Sequence, residues 1–229
     1  LSSGKWNRFY VEKSGVYKLS KSFLSSLGFD MNSVNPTKIK IYGNGGRMLP
    51  LSNAQYYPDD LGENAIQVIG EQDGSFDNDD YILFYAEGVD NWSQENETHL
   101  NLYSDRSYYY VNVVGADGKR ISLMPQPSAG STLNLTTFDN YQFHEVDLTN
   151  IGRLGRVWFG ENFNIEEEQT FDFNFPNIVT SSPARVTIHT GGNSFVDTSF
   201  SIAVNALNIG TINLPEVDLN SGTEASHGS

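Results

Sequence analysis

Apolar and polar residues alternate along most of this chain, and an alternation with a period of two is typical of β-strands that bury one face. In the first half, the pattern marks strand segments at residues 6–11, 15–19, 38–42, 66–69, 81–86, 108–114 and 120–123. The segment 81–86 is apolar at every position. This predicts a strand that is buried on both faces and runs through the middle of a sheet.

Turn-forming residues predict how these strands are connected. Residues 12–14 separate the first two strands by a short polar stretch, which favours a tight hairpin. Residues 43–46 read Gly-Asn-Gly-Gly and predict a hairpin turn after the strand 38–42. Residues 115–118 contain two glycines and predict a third hairpin, which joins the strands 108–114 and 120–123.

One helix is expected in the first half, after the strand 15–19. Ser20 can cap its first turn, and Phe23, Leu24 and Leu27 fall on one helical face. Gly28 follows at the position where a left-handed residue usually ends a helix. The predicted helix is therefore short and amphipathic.

The second half alternates more regularly than the first. Its apolar residues share faces in four groups: Phe171, Phe173 and Phe175; Ala184, Val186 and Ile188; Phe200, Ile202 and Val204; Leu207 and Ile209. Strands with one buried face and turns about every ten residues are typical of a β-sandwich. The last clear strand ends near Leu214 and a polar tail follows, so an incomplete sandwich is also expected.

These patterns predict an all-β protein with two domains. Residues 125–131 concentrate Pro, Ser and Gly without periodicity, which is typical of a domain boundary. The first domain, residues 1–125, is expected to be β-rich with one short helix. The second, residues 132–229, is expected to be a jelly-roll-like β-sandwich that is incomplete within this chain.

Composition excludes several classes of function. The chain has 28 acidic and 14 basic residues and a formal charge of −14, so it repels nucleic acid and can attract divalent cations. It has no cysteine, which excludes disulfides, thiolate metal sites and a cysteine nucleophile within it. No apolar run approaches the ~18 residues of a membrane helix. No secretion signal precedes the first strand, as expected of a mature start or of a trimmed sequence, and the cysteine-free composition favours an exported protein.

One acidic loop has the residues of a calcium site. Four aspartates fall within eight residues beside a glycine: Asp73, Asp77, Asp79 and Asp80. Closely spaced carboxylates in a tight loop can direct their oxygens at one Ca²⁺ ion. The spacing departs from the helix-loop-helix calcium motif, because no glutamate occupies its twelfth position and a strand follows. The alternative is a solvated turn in which Asp and Asn serve turn chemistry.

Other candidate chemistry is weaker. The four histidines have no partner at a metal-ligand spacing, which predicts surface or hydrogen-bonded strand positions: His99, His144, His189 and His227. No G-x-S-x-G motif for a serine nucleophile occurs. The aspartate pair at 59–60 and the run of three glutamates at 166–168 consist of adjacent residues, which point to opposite faces of a strand and cannot flank one glycosidic bond. They are interpreted as solvated charge.

Aromatic residues offer a different possibility, because an exposed row of rings binds sugars by stacking. The candidates are Trp92, Tyr103, Tyr108, Tyr109, Tyr110 and Trp158. Alternation along the strands places at least half of them in the core, so core packing is the default interpretation.

An ordered series of motifs in the first half resembles a known family. It comprises VEKSGVYKL (11–19), LGFD (27–30), IYGNGG (41–46), MLP (48–50), DGSFDNDDYILFYA (73–86), His99, Asn101, YSD (103–105) and YYY (108–110). It continues more weakly through HE (144–145), GRVWFGE (155–161) and the Phe-rich segment. In this order, the series resembles the N-terminal region of the type IX secretion system sortases of Bacteroidetes, which are gingipain-type cysteine peptidases.

The resemblance implies a large exported protein at the outer membrane surface or periplasm of a Gram-negative bacterium. A later peptidase domain of that family removes C-terminal sorting domains from secreted cargo and is implicated in joining cargo to anionic lipopolysaccharide. The Cys and His of the family lie on that domain, so no catalytic residue is carried onto this chain. The implied partners are the downstream peptidase domain, other type IX secretion proteins and cargo sorting domains.

Two hypotheses of different classes follow. In the first, the chain is a non-catalytic region that scaffolds the peptidase domain or docks partners. In the second, it is a carbohydrate-binding β-sandwich module of an exported protein. No cofactor is predicted apart from Ca²⁺ at the acidic loop.

Overall fold

The computed structural model describes residues 4–126, 130, 133–153, 155–218, 220 and 225–229. The chain divides into two compact units, Leu1–Thr136 and Thr137–Ser229. The domain ranges 1–125 and 132–229 stay predictions, and residues 127–129 and 131 of the predicted boundary lie outside the described residues. None of the helices in the described ranges is long and apolar enough to cross a bilayer.

Two antiparallel sheets form the first unit. Its elements are β1 (Asn7–Val11), β2 (Gly15–Ser20), α1 (Lys21–Ser26), β3 (Lys40–Tyr42), β4 (Glu63–Asn64), β5 (Gln67–Ile69), β6 (Tyr81–Ala86) and β7 (Ser107–Asn112). One sheet has the strand order β1-β7-β3-β4, and the other has the order β2-β6-β5. Three-residue 3-10 turns occur at Pro36–Lys38 and Glu71–Asp73.

The predicted hairpin between the first two strands is wrong. β1 pairs with β7 and β2 pairs with β6, so residues 12–14 carry the chain from one sheet to the other. The Val89 amide donates to the Glu12 carbonyl over 3.1 Å, and the amide and hydroxyl of Ser14 each donate to the Asp90 carboxylate over 2.8 Å. These long-range bonds satisfy the groups that a hairpin turn would have used.

The other two predicted hairpins are also wrong. β3 pairs with β4, and the chain makes an excursion through residues 43–62 between them. After residues 115–118, Arg120 forms an isolated parallel bridge with Ile66 instead of pairing with β7. In both places the partner strand is supplied by a distant segment of the chain.

The helix prediction is confirmed. The Ser20 hydroxyl oxygen accepts a hydrogen bond from the Phe23 amide over 3.2 Å and so caps the first turn. Leu24 is fully buried, and Phe23 and Leu27 pack against the same core. Gly28 follows with φ +99°, a left-handed conformation that glycine adopts without strain.

Aromatic rings from both sheets meet in the core of the first unit. Phe84 of β6 lies 5.9 Å from the Phe9 ring and 5.4 Å from the Tyr109 ring, measured between centroids. β6 is the central strand of its sheet, as predicted. The prediction that both of its faces are buried is wrong, because the Tyr85 side chain is 56% exposed.

The second unit contains two two-stranded antiparallel sheets within the described residues. β8 (Thr190–Gly192) pairs with β11 (Ser226–Gly228), and β9 (Thr198–Val204) pairs with β10 (Leu207–Leu214). Asn205 and Ala206 have positive φ and form the tight turn between β9 and β10. The strands predicted near 200–209 are confirmed.

The segments 171–175 and 184–188, which were predicted as strands, form none in the structure. Among the described residues, no other segment pairs with residues 171–175, and Phe171 and Phe173 are exposed. The all-β class is confirmed by the antiparallel sheets and by the single short α-helix among the described residues. The jelly-roll-like arrangement of the second half stays a prediction.

Candidate functional site

The outer face of the four-stranded sheet presents a row of tyrosines. Successive side chains of a strand point to opposite faces, so β7 directs Tyr109 into the core and Tyr108 and Tyr110 outward. The strand register places Tyr10 of β1 beside Tyr108, and Tyr42 of β3 beside Tyr110. The row therefore crosses three strands. Tyr10, Tyr42, Tyr108 and Tyr110 are called the tyrosine face below.

Arginines lie over the rings of this face. The Arg106 guanidinium carbon is 4.2 Å from the centroid of the Tyr10 ring, and that of Arg8 is 4.9 Å from the centroid of the Tyr108 ring. Both distances are within the range of cation–π attraction. A hydrogen bond to Tyr108 and the nearby Tyr10 raise the pKa of Arg106. A guanidinium is charged at every physiological pH.

A pocket of about 390 Å³ opens beside the tyrosine face. Its lining comes from the excursion between β3 and β4, from the segment that leads into β7, and from β7 itself. No acidic residue lines it, although the chain carries 28 of them. We call it the Arg–Tyr pocket, and its lining is Asn44, Gly45, Gly46, Arg47, Leu49, Tyr57, Leu61, Asn101, Tyr103, Ser104, Arg106, Ser107, Tyr108 and Tyr110.

Two asparagines fix the loops of this pocket. The Asn44 side chain donates to the Asp60 carbonyl over 3.0 Å and accepts from the Gly62 amide over 2.7 Å. The Asn101 side chain donates to the Gly46 carbonyl over 2.9 Å and accepts from the Tyr103 amide over 2.9 Å. Their polar groups are therefore engaged by the backbone.

The loop after β3 is held against the end of β6. A Cβ on Gly46 would lie 2.6 Å from the Gly88 carbonyl oxygen, so this close approach requires glycine. Arg47 donates to both oxygens of the Glu87 carboxylate, over 3.0 Å from Nε and 2.7 Å from Nη2. This partner raises the pKa of Arg47.

Core packing is the correct interpretation for only one of the three strand tyrosines. Tyr109 is buried, and its hydroxyl accepts from the Glu87 amide over 2.7 Å and donates to the Glu87 carbonyl over 3.1 Å. Burial raises its pKa. Tyr108 and Tyr110 line the Arg–Tyr pocket together with Tyr103, which is 70% exposed.

The two tryptophan candidates lie outside this pocket. The Trp92 ring packs 4.7 Å from the His99 ring, measured between centroids, and is half exposed. Trp158 belongs to the second unit and is also partly exposed. Neither forms part of an aromatic row in the described residues.

The acidic loop uses two of its aspartates for backbone hydrogen bonds. The Asp80 carboxylate accepts from the Asp77 amide over 2.6 Å, and the Asp73 carboxylate accepts from the Ser75 amide over 2.9 Å. Asp79 lies beside Asp80 at the end of the turn. In the part of the chain that the structure describes, no three acidic or histidine side chains are grouped to hold a metal ion. Calcium binding stays a prediction, and the bonds are those expected of the turn alternative.

Heat unfolding separates these two alternatives. The calcium hypothesis predicts that saturating Ca²⁺ raises the melting temperature by about 5 °C and that Asp77→Ala removes this rise, because a cation that binds only the folded state stabilises it. The turn alternative predicts equal melting in calcium and in chelator. Asp139→Ala, at an exposed position outside the loop, is the control and should retain any calcium effect.

The structure places His144 beside the Glu161 carboxylate, and the spacing of these residues in the sequence does not indicate this pairing. His144 Nε2 lies 2.7 Å from Glu161 Oε1, although the sequence offers His144 no partner at a metal-ligand spacing. The two residues are 17 positions apart, and no local motif indicates their pairing. Both side chains are partly exposed, and the His144 ring packs 4.7 Å from the Phe171 ring. The pair is a surface contact.

The remaining acidic candidates are exposed. Residues 166–168 and 59–60 lie at the surface, which confirms the interpretation as solvated charge. Asp60 accepts a hydrogen bond from the Leu61 amide over 2.8 Å and so helps to shape the excursion that borders the pocket.

Comparisons with known proteins support the fold. No protein-family model matches the chain, and no curated protein matches it. A solved structure with a similar fold is the crystal structure of dimeric latent PorU from Porphyromonas gingivalis, with a TM-score of 0.50 and 23% sequence identity. The match covers 92% of this chain and 19% of that chain. The chain thus has a PorU-like fold and spans about a fifth of the length of that protein.

Proposed function

We propose that this chain is the non-catalytic N-terminal region of a type IX secretion system sortase. The observation that carries the proposal is the fold similarity to PorU over 92% of the chain. The ordered motifs of the first half also support it. The proposed location is the outer membrane surface or periplasm of a Gram-negative bacterium.

Within such a protein, the proposed role is to scaffold the downstream peptidase domain or to dock partners. The chain has no cysteine to supply a thiol nucleophile, so cleavage of cargo sorting domains would fall to another part of the polypeptide. Exposed tyrosines and arginines give the first unit a surface suited to binding. The proposed partners are the peptidase domain, other type IX secretion proteins and cargo sorting domains.

A cleavage assay tests whether this chain is non-catalytic. The purified chain is incubated with a peptide that spans a cargo sorting-domain junction, and a gingipain-type peptidase domain serves as the positive control. We expect no hydrolysis by the chain alone. Hydrolysis that persists after further purification of the chain would refute the proposed non-catalytic role.

The second candidate function is a carbohydrate-binding module. The tyrosine face favours it, because outward-facing rings on a sheet can stack on sugar rings. A glycan array followed by calorimetric titration tests it. Binding of a polysaccharide that is lost in Tyr110→Ala would support this candidate, and an array without binding would remove it.

A further inference from the structure

We propose that the Arg–Tyr pocket binds an acidic peptide segment of a protein partner, with its carboxylates paired to Arg47 and Arg106. The inference rests on the proposed docking function and specifies its surface and the chemistry of the ligand. An apolar side chain of the same segment would pack among the tyrosine rings. Charge, composition, preorganisation and the engagement of the asparagines each support this ligand class.

Arg106 gives the pocket a positive charge that no carboxylate of the lining offsets. The formal net charge of the chain is −14, and yet two arginines and no acidic residue line the pocket. Glu87, outside the lining, pairs with Arg47, so the uncompensated charge is that of Arg106. An acidic segment is repelled by most of the surface and attracted only where positive charge is concentrated. The difference in charge between the pocket and the rest of the surface therefore favours binding of an acidic segment at the pocket.

The composition of the pocket is that of an interface hot spot. Tyr and Arg dominate the energetics of protein interfaces, because both combine a large contact area with polar groups of fixed direction. Four tyrosines and two arginines contribute to the lining. Leu49 is 55% exposed at its edge, which leaves apolar surface for a partner to cover. The volume of the pocket, about 390 Å³, is large enough for a small number of side chains of a partner.

Both arginines are partly ordered before any ligand arrives. Arg106 stacks on the Tyr10 ring, so less conformational freedom remains to be lost on binding. Arg47 uses Nε and Nη2 for Glu87 and remains 59% exposed, and a guanidinium has five N–H donors in total. Donors of Arg47 therefore stay accessible for a carboxylate of a ligand.

The engaged asparagines favour a peptide over a neutral sugar. Recognition of sugar hydroxyls needs polar side chains that can both donate and accept. The side chains of Asn44 and Asn101 already donate to and accept from the loop backbone. The strongest remaining polar groups of the pocket are cationic, and carboxylates are their best partners.

Fluorescence anisotropy on the 229-residue chain tests the inference. The probe is a labelled 12-residue peptide with alternating Glu and Phe or Leu at its centre, and the matched probe has Gln in place of Glu. We expect the Glu peptide to bind about tenfold more tightly than the Gln peptide, because hydrogen bonds to charged groups are the stronger ones. Binding should weaken as salt is raised.

Variants locate the site. Arg106→Gln and Arg47→Gln should each weaken binding of the Glu peptide about tenfold. Arg185→Gln removes the same charge at an exposed position of the second unit and should leave binding unchanged. Thermal melting of each variant verifies that it is folded. Equal affinity for the Glu and Gln peptides, or wild-type affinity in both pocket variants, would overturn the inference.

Two outcomes separate this inference from the proposed function. If a neutral oligosaccharide binds and Arg106→Gln abolishes its binding, the pocket is a sugar site and the peptide inference fails. If cargo processing needs this region of a full-length sortase and yet proceeds normally with Arg106→Gln and Arg47→Gln, docking uses another surface. The proposed function then stands without this pocket.

Discussion

Replacing Phe84 with alanine is expected to lower the free energy of unfolding of the first unit by about 4 kcal/mol. Phe84 is 1% exposed, and its ring packs edge-to-face against the rings of Phe9 and Tyr109, which belong to the other sheet. Removing the ring loses its transfer free energy and leaves a cavity that the surrounding strands can only partly fill. Urea unfolding followed by circular dichroism measures the change.

The neighbouring residue supplies a matched control. Tyr85 is on the same strand, points the other way and is 56% exposed. Tyr85→Ala should cost less than about 1 kcal/mol, because surface substitutions rarely alter stability strongly. Similar losses for the two variants would show that the two sheets do not share the aromatic core described above.

Replacing Arg120 with leucine is expected to lower the free energy of unfolding of the first unit by about 3 kcal/mol. Its Nε lies 2.9 Å from Glu71 Oε2, and its Nη2 donates to the carbonyls of Pro36 and Thr37 over 2.9 and 3.0 Å. Both members of the ion pair are largely shielded from solvent. The variant leaves the Glu71 carboxylate without its cation, and the carbonyls of Pro36 and Thr37 keep only their backbone donors, the amides of Ile39 and Gly118. An unpaired carboxylate that is shielded from solvent is more costly than the loss of the ion pair as a whole.

A double variant separates these contributions. Arg120→Leu combined with Glu71→Leu should recover part of the loss, because no unpaired charge then remains. Arg185→Leu, at an exposed position, should change stability by less than about 0.5 kcal/mol. A cost below about 1 kcal/mol for Arg120→Leu would mean that Arg120 does not hold residues 36–37 in place.

Local features of the fold could be predicted from the sequence. The helix follows from a capping serine, three apolar residues on one face and a terminal glycine, all within nine residues. The hairpins were wrong because consecutive strands usually pair, whereas β1 and β2 each pair with a strand far along the chain. Residues 12–14 are bonded to residues 89–90, and no local pattern in the sequence indicates these long-range bonds.

The strands predicted at 171–175 and 184–188 illustrate a second limit. Alternation shows that a segment can form a strand with one apolar face, but a strand also needs a hydrogen-bonded neighbour. Residues 200–204 find that neighbour across a two-residue turn, at Asn205 and Ala206. The Phe-rich segment finds none among the described residues.

The Arg–Tyr pocket could be predicted only in part. Alternation along β7 already implies that Tyr108 and Tyr110 share a face that Tyr109 does not. Arg47 and Tyr57 come from a segment about 50 to 60 residues earlier, and the pairing of β3 with β7 brings that segment near. The pocket has no acidic residue in its lining because of which distant segments the fold brings together, and the local sequence does not indicate this.

Cargo processing by a full-length sortase that lacks this region tests the central claim most directly. The peptidase domain of such a deletion variant should still cleave a short peptide, because the proposed role of this region is to scaffold or dock and not to catalyse. Secreted cargo should nevertheless retain its sorting domains. Cargo processing at the wild-type rate in the deletion variant would contradict the account.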